Sequence, residues 1–190
     1  MKLLKAVAFV LAAVVTGVLA TKPIVIAMMD RIAVRNGPWR TSVGTGRTDA
    51  NIYESAAVAV AGLYALAREE TIYFTAFTDS AGAALEGSCT YHLTGRAPAS
   101  RWWSLTMYGA DNYLVPNAAG IYSRHASNLQ LEADQSFVVN IASTMQPKNW
   151  LPSPAKGSFS ITLRLYNPEA AVVQNLSGVD LPSIVRESCL

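Results

Sequence analysis

Charge is what this sequence has least of. Aspartate, glutamate, lysine and arginine make up 15% of its 190 residues, and the net charge is only +2. No basic run is long enough to track a phosphodiester backbone, which excludes nucleic acid as a partner. Histidine and cysteine number two each. They form no CxxC pair and no mixed cluster, so no metal site is expected. The only glycine-rich stretch, "GTGRTD", lacks the third glycine of a dinucleotide fingerprint and the Gly-Lys-Ser/Thr of a phosphate loop. No cofactor is implied. G-x-S-x-G and H-E-x-x-H are missing as well. These absences weigh against an enzyme and leave the question open.

What is present is apolar: 51% of residues, enough to fill the core of one domain. Part of that excess lies at the N-terminus. Lys2 and Lys5 precede sixteen uncharged residues, Ala6 to Thr21, and a second apolar run, Ile24 to Met29, follows Lys22 and Pro23. Cleavage after Ala20 would make the segment a secretory signal, with Val18 and Ala20 as the small residues. Retention would make Ala6 to Met29 a bilayer-spanning anchor. The anchor is preferred, because cleavage would leave "TKPIVIAMM" as a free apolar tail. The leading lysines orient the N-terminus to the cytoplasm of a bacterial inner membrane, with the remainder in the periplasm. The expected organisation is a signal anchor or signal peptide over 1–29, a linker over 30–49 and one domain over 50–190.

Cys89 lies in "EGSCTYHLTG" and Cys189 is the second-last residue. In an oxidising compartment two lone cysteines pair most simply with each other. Two unrelated buried thiols are the alternative. The last cysteine is not fourth from the end, so prenylation is excluded.

Asp49 is placed to cap a helix from Ala50 to about Ala67, with Ile52, Ala56, Val60, Leu63 and Ala67 on one stripe. This helix is expected to pack on a sheet. The period then changes to two. "TIYFTAFTD", "SCTYHLTG", "RWWSLTMYG", "QSFVVNIAS", "GSFSITLRLY" and "PSIVRES" read as strands, the first two as a hairpin. One helix followed by short strands with turn signals predicts a mainly β sandwich or partly open barrel. Alternation sorts the faces. Phe159, Ile161, Leu163 and Leu165 point one way, and Ser160, Thr162, Arg164 and Tyr166 the other. Trp103, Leu105 and Met107 oppose Trp102, Ser104, Thr106 and Tyr108. Cys89 turns inward and His92 outward.

Two stretches carry a resemblance: "RWWSLTMYGADNYLVPNAAGIYS" and "NWLPSPAKGSFSITLRLYNP". Trp103, Ser104, Thr106, Tyr108, Asp111, Tyr113, Leu114 and Asn117, then Asn149 to Pro152, Pro154, Leu163 to Tyr166 and Pro168, resemble the bacterial domain of unknown function 1214. The resemblance spans about Ala50 to Pro182. It implies a jelly-roll-like β-sandwich and supplies no agreed activity and no catalytic residue. Many relatives place a second uncharacterised domain, numbered 1254, before this one. The chain is too short for it and is similar to the smaller, membrane-anchored members.

The same residues suggest where a ligand would sit. Trp102, Tyr108, Arg164 and Tyr166 share one face, with Asn117 and Tyr122 from the loop between. Aromatic rings stack on sugars, and an arginine fork fits a carboxylate or phosphate. Asp111, in "YGADNYL", is the acid nearest in sequence to the end of that strand and would accept from Arg164 or cap its own turn. Asn149 and Trp150 belong to a stiff segment with Pro152 and Pro154, as scaffold or as further ligand contacts. The expectation is an envelope binding or accessory module for a small anionic or carbohydrate ligand. A glycan hydrolase using Asp111 and a structural partner of another envelope protein are the alternatives. Protein partners are not legible.

Overall fold

The computed structural model describes residues 2–42, 52–60 and 66–189. Helix α1 (Lys2–Ile32) holds the apolar N-terminus and contains Pro23. At ~1.5 Å per residue it exceeds the ~30 Å of a bilayer's hydrocarbon. By length and composition it is long and apolar enough to cross a membrane, a property that anchors and signal sequences share.

Strand β1 (Ala33–Asn36) follows α1 directly and forms a hairpin with β2 (Trp39–Ser42). These two residue runs fall within the expected linker, 30–49, and are sheet instead. The reason is Trp39, which is fully buried in the core and donates its indole N–H to the Pro182 carbonyl. Gly37 takes a positive φ of 58° at the turn, where a side chain would be strained. The remaining linker residues, 43–49, lie outside the described residues. The expected helix appears as α2 (Ile52–Val60); residues 61–65 of the expected span, with its Asp49 cap, are also outside them. Helix α2 approaches α1 rather than the sandwich core, and Ile52, expected in the buried stripe, is exposed.

Six strands were expected and all are present: β3 (Thr71–Ala76), β4 (Cys89–Arg96), β5 (Ser100–Gly109), β7 (Ser136–Ala142), β9 (Phe159–Pro168) and β10 (Ser183–Cys189). Two short ones join them, β6 (Ser123–His125) and β8 (Trp150–Pro152). They build a six-stranded sheet, β1-β2-β3-β9-β5-β6, and a four-stranded sheet, β10-β4-β7-β8. The fold is mainly β and sandwich-like, as expected. The β3–β4 hairpin does not form. The two strands belong to different sheets, because Asp79 folds the chain between them. Its buried carboxylate accepts the backbone N–H of Ala81 and Ala83 and lies 3.2 Å from Nε of Arg186.

The predicted parity holds. Ile72, Phe74, Trp103, Leu105, Leu163 and Leu165 from one sheet meet Tyr91, Leu93, Phe137, Val139, Ile141 and Ile184 from the other. Cys89 and Cys189 are register partners on β4 and β10, bonded to each other with Cα atoms 4.0 Å apart.

Candidate functional site

Strands β9 and β5 are neighbours, so their polar faces combine. Trp102 is opposite Tyr166, Ser104 opposite Arg164, Thr106 opposite Thr162 and Tyr108 opposite Ser160. On the other flank of β9, Tyr73 is opposite Arg164 and Thr75 opposite Thr162.

Arg164 and Tyr108 are four residues out of register, yet the guanidinium Nη2 donates to the Tyr108 hydroxyl at 2.6 Å. The two long side chains therefore lean toward each other along the sheet, over the Thr106–Thr162 pair. This explains why both threonines are buried on a face turned away from the core. The guanidinium carbon lies 5.4 Å from the Tyr108 ring centre and 5.7 Å from that of Tyr73. Both distances suit cation–π attraction. At one end the Trp102 ring packs 5.2 Å from Tyr166 and 5.1 Å from His125, and its indole N–H donates to Ser127. The floor carries hydroxyls, including a 3.1 Å Thr75–Thr162 contact.

Among the described residues no carboxylate lies within ion-pair distance of Arg164. Asp111 does not fill that role. Its Oδ1 accepts the Tyr113 backbone N–H and closes its own turn. Tyr108 supplies the acceptor instead. A guanidinium has five N–H donors in a planar fork; only one bond of this group, to Tyr108, is made to described residues.

The other candidates lie elsewhere. Asn117 closes its loop, bonding Val115 and Ile121 backbone groups. Tyr122 precedes β6 and is exposed. Asn149 is buried; it accepts from Gln130 N–H and donates to the Gln130 and Val138 carbonyls. Trp150 is buried and donates its indole N–H to the Ala142 carbonyl. These two hold β8 against β7. Arg124 reinforces them, its Nε donating to the Trp150 carbonyl at 2.7 Å; burial lowers its pKa.

Sequence reading missed Tyr73, although the alternation of "TIYFTAF" already placed Tyr73, Thr75 and Phe77 on one face. His125 ends β6 opposite Ser104. The outer face of the other sheet is built differently. There His92 points outward as expected, between Asn140 at 2.9 Å and Glu187 at 3.2 Å, clamping three strands.

One solved structure accords with this architecture. The VPA0106 protein from Vibrio parahaemolyticus is similar at 26% identity, with a TM-score of 0.61 over 74% of this chain and 36% of that one. A putative uncharacterized protein from Burkholderia cenocepacia matches at 16% identity and a TM-score of 0.45, over 64% and 30% of the two chains. The chain thus spans about a third of the length of these solved structures. No curated protein matches it. The model of one family, described as "Protein of unknown function (DUF1214)", matches residues 70–170, which include β3, β4, β5, β7 and β9. The chain therefore belongs to the DUF1214 family of proteins of unknown function.

Proposed function

We propose that this protein is a membrane-anchored binding or accessory module of the bacterial envelope, exposed to the periplasm, and that it holds a small anionic ligand at Arg164. One observation carries the reading. The Arg164 guanidinium is set between the rings of Tyr73 and Tyr108, most of its donors are unused by described residues, and none of their carboxylates neutralises it. Here the acceptor is a neutral hydroxyl, so the positive charge stays available for a carboxylate or phosphate. Trp102 and Tyr166 add an aromatic wall on which an apolar ring or a sugar face could rest. The disulfide supports an oxidising compartment, and α1 supports the anchor.

The test uses the full chain in detergent, titrated with inorganic phosphate and with glucuronate while thermal unfolding is followed. Ligand that binds only the folded state raises the midpoint by mass action. At least one of the two anions raises it in the wild type and fails to do so in Arg164→Lys. Equal shifts in both proteins, or no shift with either anion, would refute the reading.

A further inference from the structure

We infer that the anion held at Arg164 is the head group of a membrane lipid, and that the outer face of the six-stranded sheet lies along the bilayer that α1 enters. The inference rests on the anion-site reading above and names the source of the anion.

The register leads from the helix to the site. Helix α1 ends at Ile32 and β1 starts at Ala33, with nothing between to let the sheet swing away. Ala33 is opposite Ser42. The β2–β3 ladder ends with Arg40 opposite Thr75, and the same register continued for two residues aligns Ser42 with Tyr73. Tyr73 is opposite Arg164, and Arg164 opposite Ser104. The paired row Arg35–Arg40–Thr75–Thr162 ends two residues from Arg164 on the same face, and the continued register brings the end of the apolar helix into the row of Arg164 itself. Three strand spacings of ~4.8 Å separate them, about 14 Å in all. The polar layer of each leaflet is only ~5–8 Å deep. A sheet standing upright on α1 would carry Arg164 above the head groups, whereas a sheet lying along the surface puts it among them.

The chemistry of the face favours the second arrangement. Trp102, Tyr108, Tyr166 and Tyr73 share it with exposed Phe77, over which the Arg40 guanidinium sits at 5.7 Å. Tryptophan and tyrosine collect at membrane–water boundaries because their rings are apolar and their edges are not. Arg35 is exposed on the same face, opposite Arg40. Arginines near an anionic leaflet are attracted to it. Asp30, the acid nearest the end of α1, is already paired with Arg40. The outer face of the four-stranded sheet differs: Thr90, His92 and Asn140 are polar, and Trp150, opposite Asn140, is buried. Helix α2, beside α1, leaves Ile52 exposed in keeping with an apolar surroundings.

The test reconstitutes the full chain in phosphatidylcholine nanodiscs containing a rising fraction of phosphatidylglycerol with brominated acyl chains. Bromine quenches indole emission at short range. Trp39, Trp103 and Trp150 are buried, and a Trp102→Phe protein supplies the background to subtract. Quenching of Trp102 is expected, saturating with the phosphatidylglycerol fraction and weaker with brominated phosphatidylcholine alone. Arg164→Lys should need about tenfold more phosphatidylglycerol for half-quenching. If that variant unfolds, exposed Arg35→Glu replaces it and should need severalfold more. Equal quenching by both lipids overturns the inference, because the face then meets lipid without selecting an anion. Loss of quenching with a retained thermal shift by phosphate or glucuronate also overturns it, and leaves a site for soluble anions. Loss of both removes the anion site itself.

Discussion

Arg164 donates a 2.6 Å hydrogen bond to the hydroxyl of Tyr108, a residue four positions out of register on the neighbouring strand. That bond aims the guanidinium along the sheet and roofs the buried threonines beneath it. Tyr108→Phe removes the acceptor and keeps the ring. The bond is charge-assisted but partly solvated, so its loss should cost about 1 kcal/mol, read as a lower urea midpoint. An unchanged midpoint would mean that the bond does not hold the side chain in place.

Asn149 joins three backbone groups of two segments that no strand connects. Asn149→Ala would leave the Gln130 N–H and the Gln130 and Val138 carbonyls without their partner in a buried setting. A loss of about 3 kcal/mol in urea unfolding is expected. A loss below about 1 kcal/mol would show that water replaces the side chain.

The Cys89–Cys189 bond fastens the last strand to a central one across a sequence separation of 100 residues. The chain-entropy estimate for a loop of that length is about 4–5 kcal/mol. Replacing both cysteines by serine should lower stability by up to that amount. Alkylation without reductant should find no free thiol in the purified protein; two reactive thiols would contradict the pairing.

Asp134 accepts from the Ser136 hydroxyl at 2.6 Å and from its backbone N–H at 3.1 Å, and these bonds hold its carboxyl below the usual range, with Arg96 adding a smaller pull. A depressed carboxyl contributes stability above the ordinary aspartate pKa of about 3.9 and loses it as pH falls through the folded value. Ser136→Ala should therefore move the Asp134 titration upward in carbon-detected NMR, toward that ordinary value. A titration that stays in place would assign the depression to the backbone bond alone.

The six long strands and their faces were legible because each is long enough for alternation to show, as from Phe159 to Leu165. The short strands were not. β6 and β8 have three residues each, too few for a period to show. The β1–β2 hairpin carried a readable signal in "RNGPWR", where Asn-Gly marks a turn, but its arginines masked the burial of Trp39. Strand order is a tertiary property, and the β3–β4 turn misled for that reason. Within the site, parity alone grouped Trp102, Tyr108, Arg164 and Tyr166. Of the two roles open to Asp111, the turn cap is the one realised: its carboxylate accepts from the Tyr113 backbone N–H, and Tyr108 takes the bond from Arg164.

The central claim is that Arg164 organises a ligand site rather than only the sheet beneath it. Native mass spectrometry of the wild-type protein and Arg164→Lys, both purified under the same conditions, tests it most directly. Lysine keeps the charge and loses the fork. The account predicts an anionic adduct on the wild type that is lost or sharply reduced on a variant whose unfolding midpoint is close to unchanged. An adduct that survives the substitution, or a variant that loses stability alone while no adduct is found on either protein, would contradict it.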